Sequence, residues 1–118
     1  MGIKRNCSAE FTVEIDRDPS EISKVEIVFK KQPDPKAPEL LKLEYTTDDF
    51  EAYIDDTDGN VKTRIVCKLK PSQTYQLIAG TVFMDIATIL TDGFVVPTEI
   101  AVIEDVGETL FDEVFEDG

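Results

Sequence analysis

Apolar and polar residues alternate with a period of two over short runs of this chain, and turn-forming residues separate the runs. Successive side chains of a strand point to opposite faces, so the pattern predicts half-buried strands rather than helices. The first run, 11–15, reads Phe-Thr-Val-Glu-Ile, apolar on odd numbers, and Asp16, Arg17, Asp18, Pro19 and Ser20 stop it. In 24–30, Val25, Ile27 and Phe29 share one face. Residues 32–39 hold Pro33, Pro35 and Pro38, and proline cannot donate to a ladder, so this stretch is a loop. Strands are expected at 40–45 and 50–55 around Thr46-Thr47-Asp48-Asp49, then a turn at 56–59 and a longer strand at 61–70. Pro71 stands where a helix would begin, so 71–77 is expected to make one helical turn, closed by Gly80. Runs 82–90 and 94–103 form the last pair.

Seven strands at this spacing predict an all-β chain, an immunoglobulin-like β-sandwich of antiparallel strands with a short helical crossover. One domain is expected over 1–118, with an acidic tail at 104–118. A chain of this size buries about two thirds of its unfolded surface, enough for one core without staples.

The last hairpin has two candidate registers. A two-residue Asp92-Gly93 loop would set Asp85 against Ile100 and Ile86 against Glu99, a charge opposite a large apolar group on each face. A three-residue loop, Thr91-Asp92-Gly93, sets Leu90 against Phe94, Thr88 against Val96, Met84 against Ile100 and Val82 against Val102. One face is then apolar throughout, and Gly93 supplies the left-handed residue the loop needs. The second register is the expected one. The opposite face carries Phe83, Asp85, Ala87 and Ile89 with Val95, Pro97, Glu99, Ala101 and Ile103. It is too apolar for a plain solvent face: either it is an interaction surface or the tail folds over it.

Charge is distributed unevenly. All twelve Lys and Arg lie between Lys4 and Lys70, while the last 48 residues hold ten Asp and Glu. Such an acidic end disfavours nucleic acid and anionic membranes and suits a cationic partner surface or simple solubility. Nothing approaches an 18-residue apolar run, and no apolar stretch of a secretory leader follows the first six residues.

The chemistry-bearing residues are few. There is no histidine, which removes the commonest general base, the Ser–His and Cys–His pairs and any His-ligated metal. Two cysteines make neither a structural zinc site nor a disulfide framework. Cys67 falls in the apolar register Val61, Thr63, Ile65, Cys67, Leu69 and acts as a small hydrophobe. A sandwich leaves room for a Cys7–Cys67 bridge, but the missing leader favours free thiols in a reducing compartment. Six scattered glycines form no phosphate-cradling loop. The carboxylates lie in turns and tails, as solvated charges do, rather than in an apolar pocket. Residues 55–60, Asp-Asp-Thr-Asp-Gly-Asn, have a superficial likeness to a calcium loop, but Ile54 would occupy the first ligand position. A tight turn explains them directly. No enzyme activity and no cofactor is expected.

In the tail, Leu110, Phe111, Val114 and Phe115 form one stripe, with Glu108, Asp112, Glu113 and Glu116 around the remainder. So short a helix needs a packing partner, either its own sandwich or a neighbouring subunit. A basic stripe of Lys62, Arg64, Lys68 and Lys70 is one surface it could meet.

Residues 22–32, Ile-Ser-Lys-Val-Glu-Ile-Val-Phe-Lys-Lys-Gln, and 67–74, Cys-Lys-Leu-Lys-Pro-Ser-Gln-Thr, carry a resemblance. So do 79–86, Ala-Gly-Thr-Val-Phe-Met-Asp-Ile, then Asp92-Gly93 and the ending Leu110-Phe111-Asp112-Glu113-Val114. Together, over 22–114, they resemble small prophage-encoded proteins of Gram-positive bacteria, related to phage tail and baseplate components with an immunoglobulin-like domain. In that family a Leu-Thr-Gln-Glu-Asp-Thr-like crossover precedes a strand, an Asp-Gly turn and a last strand. Here Lys70-Pro71-Ser72-Gln73 departs from it, keeping Leu69 and Thr74. The resemblance carries no catalytic residue. It implies a virion or assembly protein, made in the bacterial cytoplasm, that binds other phage structural proteins or itself. The residues expected at the contact are Phe83, Ile89, Val95, Ile103, Leu110, Phe111, Val114 and Phe115. The alternative is a carbohydrate-binding β-sandwich module, for which the chain offers no Trp and only Tyr45, Tyr53 and Tyr75 as platforms.

Overall fold

A computed structural model describes residues 2–115. Half of the fold is set by three antiparallel strands in the order β1 (Ala9–Ile15), β5 (Val61–Leu69), β4 (Glu51–Ile54). The second sheet runs β3 (Glu39–Tyr45), β2 (Ile22–Lys30), β6 (Gly80–Leu90), and β6 then pairs with both β7 (Val95–Val96) and β8 (Ala101–Val106). The chain is all-β, two antiparallel sheets packed as a sandwich. The chain passes from β1 in the first sheet to β2 and β3 in the second, back to β4 and β5, and then to β6, β7 and β8 in the second. The short crossover α1 (Pro71–Thr74) carries the chain from β5 to β6, as the position of Pro71 predicts.

Alternation explains which side chains meet. Val13, Ile15, Ile65, Cys67 and Leu69 point inward from the first sheet, and Val25, Ile27, Phe29, Leu41, Leu43, Val82 and Met84 from the second. Phe11 meets Phe29 edge-to-face across the gap at 6.4 Å. Phe29 is fully buried, and burying a side chain of that size contributes about 1.5–3 kcal/mol. Cys7 and Cys67 are both free; Cys67 lies in the core, where burial pushes its thiol upward.

Among the described residues, eight strands replace the seven expected, because the last expected strand is interrupted. The three-residue loop is present: Gly93 has φ +90°, Leu90 N donates to Phe94 O at 2.8 Å, and Thr88 faces Val96. Beyond Val96 the register departs from expectation. Val82 faces Ile103, Phe83 faces Val102 and Met84 faces Ala101, a shift of one residue. Pro97 cannot donate to the ladder, and residues 97–100 leave it. A one-residue slip exchanges the faces, so Ile103 enters the core at 4% exposure, while Val102 and Ile100 turn outward. The strand also continues through Glu104 to Val106, so the tail starts after it rather than at 104.

Sequence alone gave no account of residues 3–7, which act as a clasp. Ile3 is buried, and a parallel bridge joins Lys4 to Gly107, with Arg5 N donating to Gly107 O and Gly107 N to Ile3 O, each at 2.9 Å. Arg5 donates to the carbonyls of Leu77 and Tyr75, lies over the Tyr75 ring at 4.6 Å and pairs with Glu108. The buried Thr74 hydroxyl accepts from Cys7 N and donates to Cys7 O. The clasp thus ties β8 and the crossover together.

Candidate protein-binding surface

The outward positions of β2 and β3 are polar, as alternation requires. Lys24 pairs with Glu26 at 3.1 Å, and Lys42 reaches Glu26 at 3.6 Å and Glu44 at 3.7 Å. The hydrogen bond from Lys24 lowers the Glu26 carboxyl below its ordinary range. The exception on β2 is Val28, which stands beside Asp85 on β6.

Across β6 the same outer face becomes apolar. Phe83 stands opposite Val102, and Ile89 opposite Val95. Val95 and Val102 are each 53% exposed and Ile100 is 47% exposed, values unusual for large apolar side chains grouped on one face. A cleft of about 160 Å³ opens between this patch and the proline-rich β2–β3 loop, lined by Val28, Lys30, Pro33, Phe83, Asp85 and Ile100. Lys30 braces that loop by donating to the carbonyls of Asp34 and Pro35. Asp85 is held at the patch border, where its Oδ1 accepts from Ile86 N and Thr98 Oγ1.

Of the residues expected at the contact, Phe83, Ile89 and Val95 share this face, and Ile103 does not: the register slip buries it. Ile100, Val102 and Val28 belong to the surface instead. Pro97 within an expected strand was the signal for the first two, and a lone Val among Lys24, Glu26 and Lys30 was the signal for the third.

Among the described residues, the tail forms no helix and leaves Val95, Ile100 and Val102 of the patch exposed. The segment is held in cis by Asn6, whose Nδ2 donates to Glu113 O at 2.7 Å and whose Oδ1 accepts from Phe115 N at 2.9 Å. Phe111 and Phe115 meet edge-to-face at 5.0 Å. Leu110 is fully exposed, and Phe111, Val114 and Phe115 are also exposed. These four residues form a second apolar group, separate from the sheet face. Glu116, the remaining acid of the expected stripe, lies outside the described residues.

Among the described residues, Lys62, Arg64 and Lys68 of the basic stripe pair with acids outside the tail. Lys62 binds Asp55 at 2.6 Å, Asp58 at 3.1 Å and Asp16 at 3.5 Å, Arg64 binds Glu14, and Lys68 lies against Glu10. These bases sit on β5, and their partners are on β1 or in the turns at the ends of β1 and β4. The Lys62 ammonium thereby fills the cluster that looked like a calcium loop. Its hydrogen bond brings Asp55 down to about 2, and Asp55 and Asp58 push Lys62 above the ordinary lysine range. The turn itself closes through Gly59 N to Asp55 O at 2.7 Å, with Gly59 at φ +74°.

No family model matches the chain, and the search of curated proteins finds no similar sequence. Among the described residues, no helix is long and apolar enough to cross a membrane.

Proposed function

We propose that this chain is a non-enzymatic protein-binding module, a phage or prophage structural or assembly protein associated with the tail or baseplate. The observation that carries the protein-binding reading is the uncovered apolar face of β6, β7 and β8, centred on Phe83, Ile100 and Val102. A braced cleft beside exposed aliphatic side chains suits a partner's side chain, since such patches are rarely left bare on a monomer. The resemblance of 22–114 to prophage tail and baseplate proteins supplies the setting. Leu110, Phe111, Val114 and Phe115 offer a second contact group at the clasp end of the sandwich.

The carbohydrate-binding reading gains no support, because ring faces are spoken for. Tyr53 lies under Arg64 at 4.3 Å and Tyr75 under Arg5. Tyr45 packs against the core.

The phage assignment is tested by inducing prophage in cells that carry the gene and separating assembled particles from free protein on a density gradient. The chain is expected to co-sediment with particles or with tail assembly intermediates. Its confinement to the free pool, with particles forming normally after deletion of the gene, would sink the assignment.

A further inference from the structure

The outer surface of the second sheet is polarised. Towards β3, the cations Lys24 and Lys42 are matched by Glu26 and Glu44. Towards β8, the apolar patch is bordered by Asp85, Glu99, Glu104 and Asp105, and none of these has a Lys or Arg partner among the described residues. The asymmetry follows from the sequence, because β6, β7 and β8 all lie in the 48 residues that contain no base. Unpaired carboxylates around a desolvatable apolar centre make a surface complementary to apolar and cationic side chains presented together on one face.

The backbone adds a second requirement. Strand β8 pairs with β6 on one side only; the Lys4–Gly107 bridge lies beyond its end, so Ala101–Asp105 forms an open edge among the described residues. An open edge accepts an added strand. A second copy of this chain is disfavoured there. Antiparallel pairing of two β8 edges about Ile103 would set Glu104 opposite Val102 and Asp105 opposite Ala101, and would bring two acidic borders without a base within a Debye length of each other. Asp105, at φ +58°, ends the regular edge, so an added strand pairs with 101–104.

We infer that the open β8 edge and the outer face beside it receive an extended segment of a different protein, one that carries apolar residues and lysine or arginine in turn at every second position, so that both kinds point to the same face. The inference rests on the reading of this face as a protein-contact surface and names the partner's chemistry. The segment's apolar side chains cover Phe83, Ile100 and Val102, while its cations reach Asp85, Glu99 and Glu104. Lys30 closes the far end of the cleft and sets the direction in which positive charge is excluded.

The test titrates the full chain with synthetic peptides of about eight residues, the length of a strand, followed by amide NMR. The lysine–valine peptide repeats Val-Ser-Lys-Ser, the glutamate–valine peptide repeats Val-Ser-Glu-Ser, and the lysine–serine peptide repeats Ser-Ser-Lys-Ser, so that the varied residues share one face. The lysine–valine peptide is expected to shift amides in 83–89 and 95–106, and to lose at least about tenfold in affinity between low and high salt. Val102→Ser with Ile100→Ser should weaken it, and Glu99→Gln with Glu104→Gln should weaken it further at low salt. These side chains are exposed, so both variants should melt like the parent. Absence of lysine–valine binding, equal binding of the glutamate–valine or lysine–serine peptide, or shifts confined to 108–115 would overturn the inference. Dimerisation of the free chain through β8 would overturn it as well. A partner found on this face that contacts it through an acidic or neutral segment would remove the charge inference and leave the contact surface standing.

Discussion

Asn6 holds the backbone of Phe115 as a neighbouring strand would: its carboxamide accepts from Phe115 N at 2.9 Å and donates to Glu113 O at 2.7 Å. Asn6 is 1% exposed and sits at φ +64°, a conformation asparagine tolerates better than most residues. One side chain therefore joins the beginning of the described chain to its end. Asn6→Gly keeps the backbone conformation and removes both hydrogen bonds, at a cost of about 1–3 kcal/mol. Hydrogen exchange in 108–115 should accelerate, and the melting temperature should fall by several degrees. Asn6→Ala should cost about 1 kcal/mol more, through the positive φ. Unchanged exchange in the tail would show that Asn6 is not its anchor.

The Phe111–Phe115 ring pair is exposed on a segment outside both sheets. Replacing both by Ala should therefore cost less than about 1.5 kcal/mol of stability, the upper range for an aromatic pair. The double variant should keep a cooperative melt while weakening any association that uses the tail, read by light scattering after size exclusion. Loss of the cooperative melt would place these rings in the folding core.

Lys62 joins three carboxylates from two turns, and the pH response follows from the direction of each shift. Asp55, lowered to about 2, favours the fold above the ordinary carboxylate range, and that contribution disappears as pH falls through about 2. Lys62, raised above its ordinary range, contributes fully below that range, and the contribution is lost only in strong alkali. Lys62→Gln should lower the melting temperature near neutral pH, and the gap from the parent should narrow as pH drops from about 4 towards about 2. A gap that stays constant over that window would mean that Lys62 acts through packing alone.

A residue with a side chain at position 93 must adopt φ +90°, although an added Cβ would meet no neighbour. Gly93→Ala should accordingly destabilise the sandwich by about 1–2 kcal/mol from backbone conformation alone. Denaturant midpoints would measure it, and a neutral result would mean that the loop adopts another form.

The sequence carried the sandwich because alternation is a local signal: Val25, Ile27 and Phe29, or Ile65, Cys67 and Leu69, declare their face without reference to the rest of the fold. The Gly93 loop was legible for the same reason, since the hydrophobic pattern of its flanking strands and the left-handed glycine agree. Beyond Val96 that logic failed, because a bulge at 97–100 moves every later side chain to the other face, and alternation alone cannot locate a bulge. Ile103 and Val102 changed places as a result. The clasp was invisible for another reason: Ile3, Asn6 and Thr74 acquire their roles only from partners far away in sequence. Of the candidate surface, Phe83, Ile89 and Val95 were readable from β6 and its hairpin, whereas Val28, a lone apolar residue among the outward positions of β2, belongs to it only because β2 lies beside β6.

The most direct test of the outer β6–β8 face as the contact surface is site-specific photo-crosslinking in cells that express the full chain from its native locus. A photoreactive benzoylphenylalanine is placed at Val102, and a control probe at Ile54, an exposed apolar residue of the first sheet. The account predicts a discrete crosslinked species from position 102, identified by mass spectrometry as a structural protein of the particle, and none from position 54. Equal crosslinking from both positions, or crosslinking from position 54 alone, would contradict it.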